Sequence, residues 1–199
     1  MSDQKTIEAY NKNAEDYHTR FSNDKPSKSL KLFMENLPKG ARVLDLGCGP
    51  GDWSALMQQA GFDVDATDAS EKMIEIAREA HNLNARVATF HEITGVDAYN
   101  GVWANFSLLH ASREDFPAHL TALFTALKPG GLFHIGMKTG SDAHRDRLDR
   151  LYTYYEEDEL LDAIVKTGFE IINVSSGKEV GLAGTEDAYA LVLAQKPST

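Results

Sequence analysis

VLDLGCGPG, residues 43–51, joins an apolar strand to a turn that carries a glycine at every second position. The apolar residues before the turn are typical of a buried parallel strand, and glycines form such a turn without the strain that a Cβ would add. A loop between a strand and the following helix lies at the carboxyl edge of an open α/β sheet, where nucleotides bind. The segment therefore predicts a nucleotide-binding α/β fold.

The spacing of the glycines narrows the choice of ligand. A dinucleotide-binding turn has the pattern G-x-G-x-x-G and holds a pyrophosphate at the start of the helix. This chain has G-x-G-x-G followed by Asp52, whose carboxylate would repel a pyrophosphate. It also lacks the lysine of a phosphate-cradling G-x-x-x-x-G-K-[ST] loop. We therefore expect a nucleoside ligand without phosphates.

Further motifs follow the glycine turn in a fixed order. They are ATDAS with Asp68, then SEKMIEIA, VWANFSLLH and LKPGGLF. Over residues 42–137 their order and spacing resemble those of class I S-adenosylmethionine-dependent methyltransferases of the small-molecule type. The resemblance implies S-adenosyl-L-methionine as cofactor and S-adenosyl-L-homocysteine as its product. It also implies a Rossmann-like α/β fold with a mainly parallel seven-stranded sheet, an antiparallel last strand, helices on both faces and an N-terminal helical lid.

Strand and helix patterns alternate along the chain, which predicts a mainly parallel sheet. After the first strand, strands are predicted at 62–67, 85–90, 101–106, 132–137, 169–176 and 188–196, the last two as a hairpin. Helices are predicted at 52–60, 70–81, 113–127 and 156–167. We expect a single domain over residues 1–199, with a helical lid at 1–40 and the Rossmann-like core at 41–199.

Composition limits the partners. The formal net charge is −10, which disfavours nucleic acid and anionic membranes, because both attract basic surfaces. Cys48 is the only cysteine, and neither a signal-peptide core nor a membrane-length apolar run is present, so we expect a cytoplasmic protein. The expected partner is a small-molecule acceptor, and the chain is expected to act as a monomer or homodimer.

The resemblance assigns the cofactor to the glycine turn and to the segments that follow strands two, three and four. Asp68 would accept hydrogen bonds from both ribose hydroxyls, and Met73 would lie against the adenine. Glu92 stands where relatives place an aspartate for the adenine amino group, and Asn105 would face the cofactor's ammonium group. The full set is Tyr17, Arg20, Asp45, Gly47, Cys48, Gly49, Asp68, Ala69, Met73, Glu92, Ile93 and Asn105. Taken alone, Asp68 also fits a helix N-cap and Glu92 a solvated loop carboxylate.

Two helical segments precede the first strand. Residues 3–20 carry a stripe at helical spacing, formed by Ile7, Tyr10, Ala14 and Tyr17. The stripe alone predicts packing against the core. The resemblance implies a lid that would bring Tyr17 and Arg20 to the amino-acid end of the cofactor and keep water from a reactive sulfonium. Both interpretations remain open at the level of sequence.

His110 is the candidate catalytic residue. It follows the fourth strand, and an unperturbed imidazole has a pKa suited to removing a proton near neutral pH. In-line methyl transfer, however, needs only the alignment of donor and acceptor, which leaves His110 without a required role. No metal ligand is predicted, because the histidines show no H-x-x-x-H pair and no carboxylate triad of recognised spacing.

The stretch after the fifth strand is the candidate acceptor region. Its aromatic and basic side chains suit a planar or anionic acceptor. The simpler expectation is a helix on which Arg145, Arg147 and Arg150 are solvated charges facing Asp146 and Asp149. Some of its tyrosines are expected to be partly buried, and these are Tyr152, Tyr154 and Tyr155.

These patterns favour an enzyme that transfers a methyl group from S-adenosylmethionine to a small molecule. Two alternatives remain. A sensor or partner subunit would keep the cofactor pocket without catalysis, and intact motifs argue only mildly against it. An NAD(P)-dependent oxidoreductase is opposed by the glycine spacing, by Asp52 and by the helices before the first strand.

Overall fold

The computed structural model describes residues 3–198 and is built on a seven-stranded sheet. Its strands are β1 (Arg42–Leu46), β2 (Asp63–Asp68), β3 (Arg86–Val87), β4 (Tyr99–Asn105), β5 (Leu127–Lys138), β8 (Glu170–Val180) and β9 (Glu186–Gln195). They stand in the order β3-β2-β1-β4-β5-β9-β8. The first five run parallel, and β9 lies antiparallel between β5 and β8. The predicted sheet with an antiparallel last strand is confirmed.

Helices cover both faces of the sheet. They are α1 (Gln4–Lys12), α2 (Ala14–Phe21), α3 (Lys28–Glu35), α4 (Asp52–Gln59), α5 (Glu71–His81), α6 (Phe116–Ala126) and α7 (Glu157–Thr167). On one face α6 and α7 pack against Leu44 and Leu46, and on the other α3 and α4 pack against Val43. Alternate side chains of β1 therefore contribute to two hydrophobic cores, one on each face of the sheet, because successive side chains of a strand point to opposite faces. None of the helices described is long and apolar enough to cross a membrane.

The stripe of side chains predicted over residues 3–20 does pack against the rest of the protein, but its residues belong to two helices rather than one. The break falls at Asn13, whose side-chain amide donates to the carbonyl of Ala9 at 2.7 Å. Beyond it, Ala14 is buried against Met73, with Tyr10 and Tyr17 beside them. α1 and α2 thus lie across α5, next to the carboxyl edge of the sheet.

Strand β3 is shorter than the predicted 85–90 and is followed by a 3₁₀ turn, Phe90–Glu92. The Glu92 carboxylate accepts hydrogen bonds from the backbone N–H and the hydroxyl of Thr89, at 2.8 and 2.9 Å. These bonds satisfy donors that a longer strand would have used, and β3 is an edge strand with one neighbour. The capped turn therefore replaces the end of the strand.

The predicted arginine-bearing helix after β5 is wrong. Residues 143–153 form a two-stranded hairpin, β6 (Ala143–Arg145) and β7 (Leu151–Thr153). Between the strands the Asp146 carboxylate accepts the backbone N–H groups of Leu148 and Arg150, at 2.9 and 3.1 Å. Asp149 has a φ of +65°, which a right-handed helix cannot accommodate.

The side chains of this segment are also more deeply buried than the sequence predicted. The Arg150 side chain is only 2% exposed and forms an ion pair with Asp146 at 2.6 Å. Tyr152, Tyr154 and Tyr155 are all buried rather than partly so. The hairpin therefore belongs to the core around the candidate site, while Arg145 is nearer the surface and pairs with Asp3 at 2.7 Å.

Candidate cofactor and active site

A cleft of about 860 Å³, counting the part open to solvent, lies over the carboxyl ends of β1, β2 and β4. Helices α1 and α2 form its outer wall. The predicted site residues that line it are Tyr17, Gly47, Gly49, Asp68, Ala69, Met73, Asn105 and His110.

The glycine turn needs its glycines for space as well as conformation. Gly47, Gly49 and Gly51 have φ values of +76°, +54° and +91°. A Cβ on Gly47 would lie 2.3 Å from the Cβ of Ser107, so the turn passes the end of β4 only without a side chain. At Gly49 the nearest atom to such a Cβ is Cε1 of Tyr17, 4.0 Å away. The backbone at Gly49 therefore borders the open space under α2.

Asp68 stands at the end of β2 with its carboxylate against this turn. Oδ2 accepts the backbone N–H of Gly49 at 2.9 Å, and Oδ1 accepts that of Ser70 at 2.8 Å. Burial raises the pKa of Asp68, and these hydrogen bonds oppose the rise. Each oxygen keeps a lone pair, so the carboxylate can accept two hydroxyls of a ligand in the cleft. The N-cap of α5 is Ser70, whose hydroxyl accepts the N–H of Met73 at 3.2 Å.

Asp45 and Cys48 lie behind the turn rather than in the cleft. Asp45 is 1% exposed and accepts the hydroxyl of Ser54 at 2.6 Å, which ties β1 to α4. Burial raises the pKa of Asp45 to about 7 and also raises that of the Cys48 thiol. Both side chains therefore support the turn from beneath.

Arg20, Glu92 and Ile93 also lie outside the cleft. Arg20 extends along the surface and donates to the carbonyl of Leu182 at 3.4 Å. Glu92 turns back to cap Thr89, and with Ile93 it lines a separate small hollow below β3. Capping of the 3₁₀ turn directs the Glu92 carboxylate away from the cleft, and its adenine contact stays a prediction.

The end of β4 supplies two cleft features that sequence reasoning missed. Phe106 has a φ of +57°, an uncommon conformation for a bulky residue that is typical of functional sites. The Ser107 hydroxyl is buried at the cleft wall without a hydrogen-bond partner among the described residues. Asn105, by contrast, uses its side-chain oxygen to accept Nε2–H of His134 at 3.0 Å. The sequence marked these positions only as part of the VWANFSLLH motif.

His110 is the centre of a buried hydrogen-bond network. Its Nδ1 lies 2.6 Å from the carbonyl of Leu151, which can only accept, so Nδ1 carries the proton. Its Nε2 therefore accepts the hydroxyl of Tyr10 at 2.8 Å. The Tyr10 oxygen in turn accepts Nη1–H of Arg150 at 3.0 Å. Burial lowers the pKa of His110 to about 3, so the imidazole is neutral at physiological pH.

Three other side chains meet on the cleft wall, although no metal ligand is predicted from sequence. These are His91, Asp115 and His119, one in the 3₁₀ turn after β3 and two at the start of α6. The available signal was the four-residue spacing of Asp115 and His119, which places both on one side of a helix.

The fold, the glycine turn and the carboxylate at the end of β2 define a nucleoside-binding Rossmann-like protein. More particularly, the chain belongs to the methyltransferase-domain family, whose profile matches residues 17–174. S-adenosylmethionine is the cofactor that this family uses.

Comparison with known proteins shows how far the likeness extends. Trans-aconitate 2-methyltransferase of Delftia acidovorans is 32% identical over 127 residues, which cover 60% of this chain and 47% of that protein. The chain spans about half the length of the curated relatives it matches.

Solved structures share the fold at lower identity. The 1,6-didemethyltoxoflavin-N1-methyltransferase of Burkholderia thailandensis, solved with 1,6-didemethyltoxoflavin and S-adenosylhomocysteine, has a TM-score of 0.76 at 20% identity, covering 97% of this chain and 88% of that one. The [4+2]-cyclase SpnF has a TM-score of 0.68 at 18% identity, covering 86% and 82%. The fold thus also occurs in a cyclase, so the reaction must be argued from the site.

Proposed function

We propose that the chain transfers the methyl group of S-adenosylmethionine to a small-molecule acceptor by in-line displacement. The observation that carries this proposal is one continuous cleft, which runs from the Asp68 carboxylate to the pair formed by Tyr10 and His110. When bound, S-adenosylmethionine supplies an electrophilic methyl group on a positively charged sulfur. The net charge of −10 supports a small molecule over nucleic acid as acceptor.

In this proposal the nucleoside half of the cleft lies along β2 and α5. Asp68 accepts the two ribose hydroxyls through the lone pairs left by Gly49 and Ser70. Met73 and Ala69 offer apolar surface to the adenine, and the thioether suits an aromatic ring. The unpartnered Ser107 hydroxyl offers a hydrogen bond to the amino-acid end of the cofactor.

The acceptor half lies beside Tyr10 and His110, and we propose that the pair orients the acceptor rather than removes its proton. With the pKa of His110 lowered to about 3, protonating the imidazole at pH 7 would cost about 5 kcal/mol. The Tyr10 hydroxyl is held by His110, Arg150 and Tyr152, which fixes the ring in the cleft wall, where an acceptor can pack against it. Alignment under a water-excluding wall then supplies most of the catalytic effect.

The proposal extends to partners and location. We propose no nucleic-acid or membrane partner, a monomer or homodimer, and a cytoplasmic location. The acidic charge supports the first point, and a lone buried Cys48, which can form no intramolecular disulfide, supports the last.

Calorimetric titration of the purified chain tests the cofactor half. S-adenosylmethionine and S-adenosylhomocysteine should bind and NADH should not. Asp68→Ala should weaken binding at least tenfold, about 1.4 kcal/mol, since it removes a charged acceptor of two hydrogen bonds. Asp63→Ala, at the exposed start of the same strand, is the matched control and should change affinity less than twofold. Binding of NADH alone would overturn the proposal.

Turnover separates an enzyme from a sensor. S-adenosylhomocysteine formation should be measured with a panel of planar hydroxyl, amine and carboxylate acceptors. Acceptor-dependent formation that falls at least tenfold in Tyr10→Phe supports methyl transfer, whereas cofactor binding without turnover on any acceptor favours the sensor alternative.

A further inference from the structure

Three potential metal ligands converge on the cleft wall. His91 lies in the turn after β3, Asp115 is the N-cap of α6, and His119 follows one helical turn later. One ligand atom from each lies within 4.8 Å of the others. His91 Nε2 and Asp115 Oδ2 are 3.9 Å apart, and the two imidazole rings have centroids 4.7 Å apart. Within residues 3–198 no other group of three such side chains is this close.

The donor set has the chemistry of a transition-metal site. Two imidazoles and one carboxylate suit zinc, iron or nickel, whereas magnesium and calcium prefer oxygen ligands. The His119 residue is 4% exposed, whereas the side chains of His91 and Asp115 are 42% and 31% exposed.

The distances require only a small adjustment. Ligand atoms around a shared tetrahedral zinc are about 3.4 Å apart, given bonds of about 2.1 Å. The observed separations exceed this by roughly 1 Å or less per side chain, which partly exposed side chains can supply by small χ rotations. Three protein ligands also leave one position facing the cleft, as in zinc sites that bind a water or substrate.

We propose that His91, Asp115 and His119 bind one divalent transition-metal ion of the zinc type, with its remaining coordination position open to the cleft. This site is independent of the methyl transfer proposed above, because it rests on these three side chains alone. Its test uses the ion without cofactor or acceptor, so each proposal can fail without the other.

The test uses the full chain without an affinity tag, stripped with a chelator and dialysed. Titration with zinc chloride at pH 7 should show one equivalent bound, and cobalt(II) should give a visible spectrum typical of nitrogen and oxygen ligation. His91→Ala, Asp115→Asn and His119→Ala should each weaken zinc binding at least tenfold. His81→Ala is the matched control: this histidine also faces an aspartate and a second histidine, but their ring centroids are 6.2 Å apart.

The outcomes are distinguishable. Because His91 is far more exposed than His119, its alanine variant should fold like the wild type, as checked by circular dichroism, even if the variant of buried His119 does not. Any of three results would overturn the proposal: the wild type does not bind zinc, His91→Ala binds zinc as tightly as the wild type, or His81→Ala weakens binding as much as His91→Ala. His119 would then be a core residue that packs against Phe90, with ring centroids 5.6 Å apart.

Discussion

Tyr10→Phe tests the network around His110 most directly. The substitution keeps the ring and removes the oxygen that joins α1 to two other parts of the chain. It leaves Nε2 of His110 without its donor and one N–H of Arg150 without its acceptor. A buried group left unsatisfied costs about 1–3 kcal/mol. Since His110 borders the cleft and water can replace part of the loss, we expect the free energy of unfolding to fall by about 2–3 kcal/mol.

The matched control is Tyr155→Phe. Its hydroxyl is buried without a hydrogen-bond partner among the described residues, so its removal should change stability by less than about 0.5 kcal/mol. Both variants should be unfolded in urea and followed by circular dichroism and tryptophan fluorescence at constant m-value. If Tyr10→Phe proved as stable as Tyr155→Phe, the network would contribute nothing measurable and our view of the acceptor half would fail.

Three further predictions concern other parts of the molecule. Burial lowers the pKa of His134 from 6.5 to about 3, so between these pH values the unfolded chain binds more protons and stability falls as the pH decreases. In urea titrations the wild type should therefore lose about 2 kcal/mol more stability than His134→Gln between pH 6.5 and 4.5. Equal losses in the two proteins would contradict the lowered pKa. Glu92→Ala should leave the calorimetric affinity for S-adenosylhomocysteine within twofold, whereas a tenfold loss would restore its adenine role. Gly47→Ala should lower the melting temperature much more than Gly61→Ala. The added Cβ would lie 2.3 Å from Ser107 at position 47, whereas at position 61 it would meet no atom within 4 Å. Equal shifts in melting temperature would show that only the positive φ matters.

Local patterns predicted the sheet well because its central strands each carry their own apolar run. The glycine turn and Asp68 were predictable for the same reason, since both depend on neighbours within about 20 residues. The adenine role of Glu92 stays a prediction, but the sequence did not show that its carboxylate would cap Thr89, three residues away. Spacing alone does not show which partner such a carboxylate takes.

The prediction for the segment after β5 differs most from the structure, because tertiary contacts determine the conformation of this segment. Alternating arginine and aspartate residues fit a solvated helix, but Asp146 instead holds a turn and pairs with a buried Arg150. Arg150 also donates to Tyr10, which is 140 residues away in sequence, so local spacing does not reveal the arrangement. Likewise, His91 meets Asp115 and His119 only once the sheet has formed.

The attachment of α1 to the hairpin has a consequence for how the chain folds. Asp3 contacts Arg145, Thr6 contacts Leu151 and Tyr10 contacts Arg150, across sequence separations of 142, 145 and 140 residues. Contacts that close loops of this length form after local structure, because the entropy of closure is lost before they contribute. The cleft is therefore completed late in folding. Helix α1 is joined to the rest of the chain through side chains, whereas β1 is hydrogen-bonded to a strand on each side, so exchange of amide hydrogens in α1 should be faster than in β1.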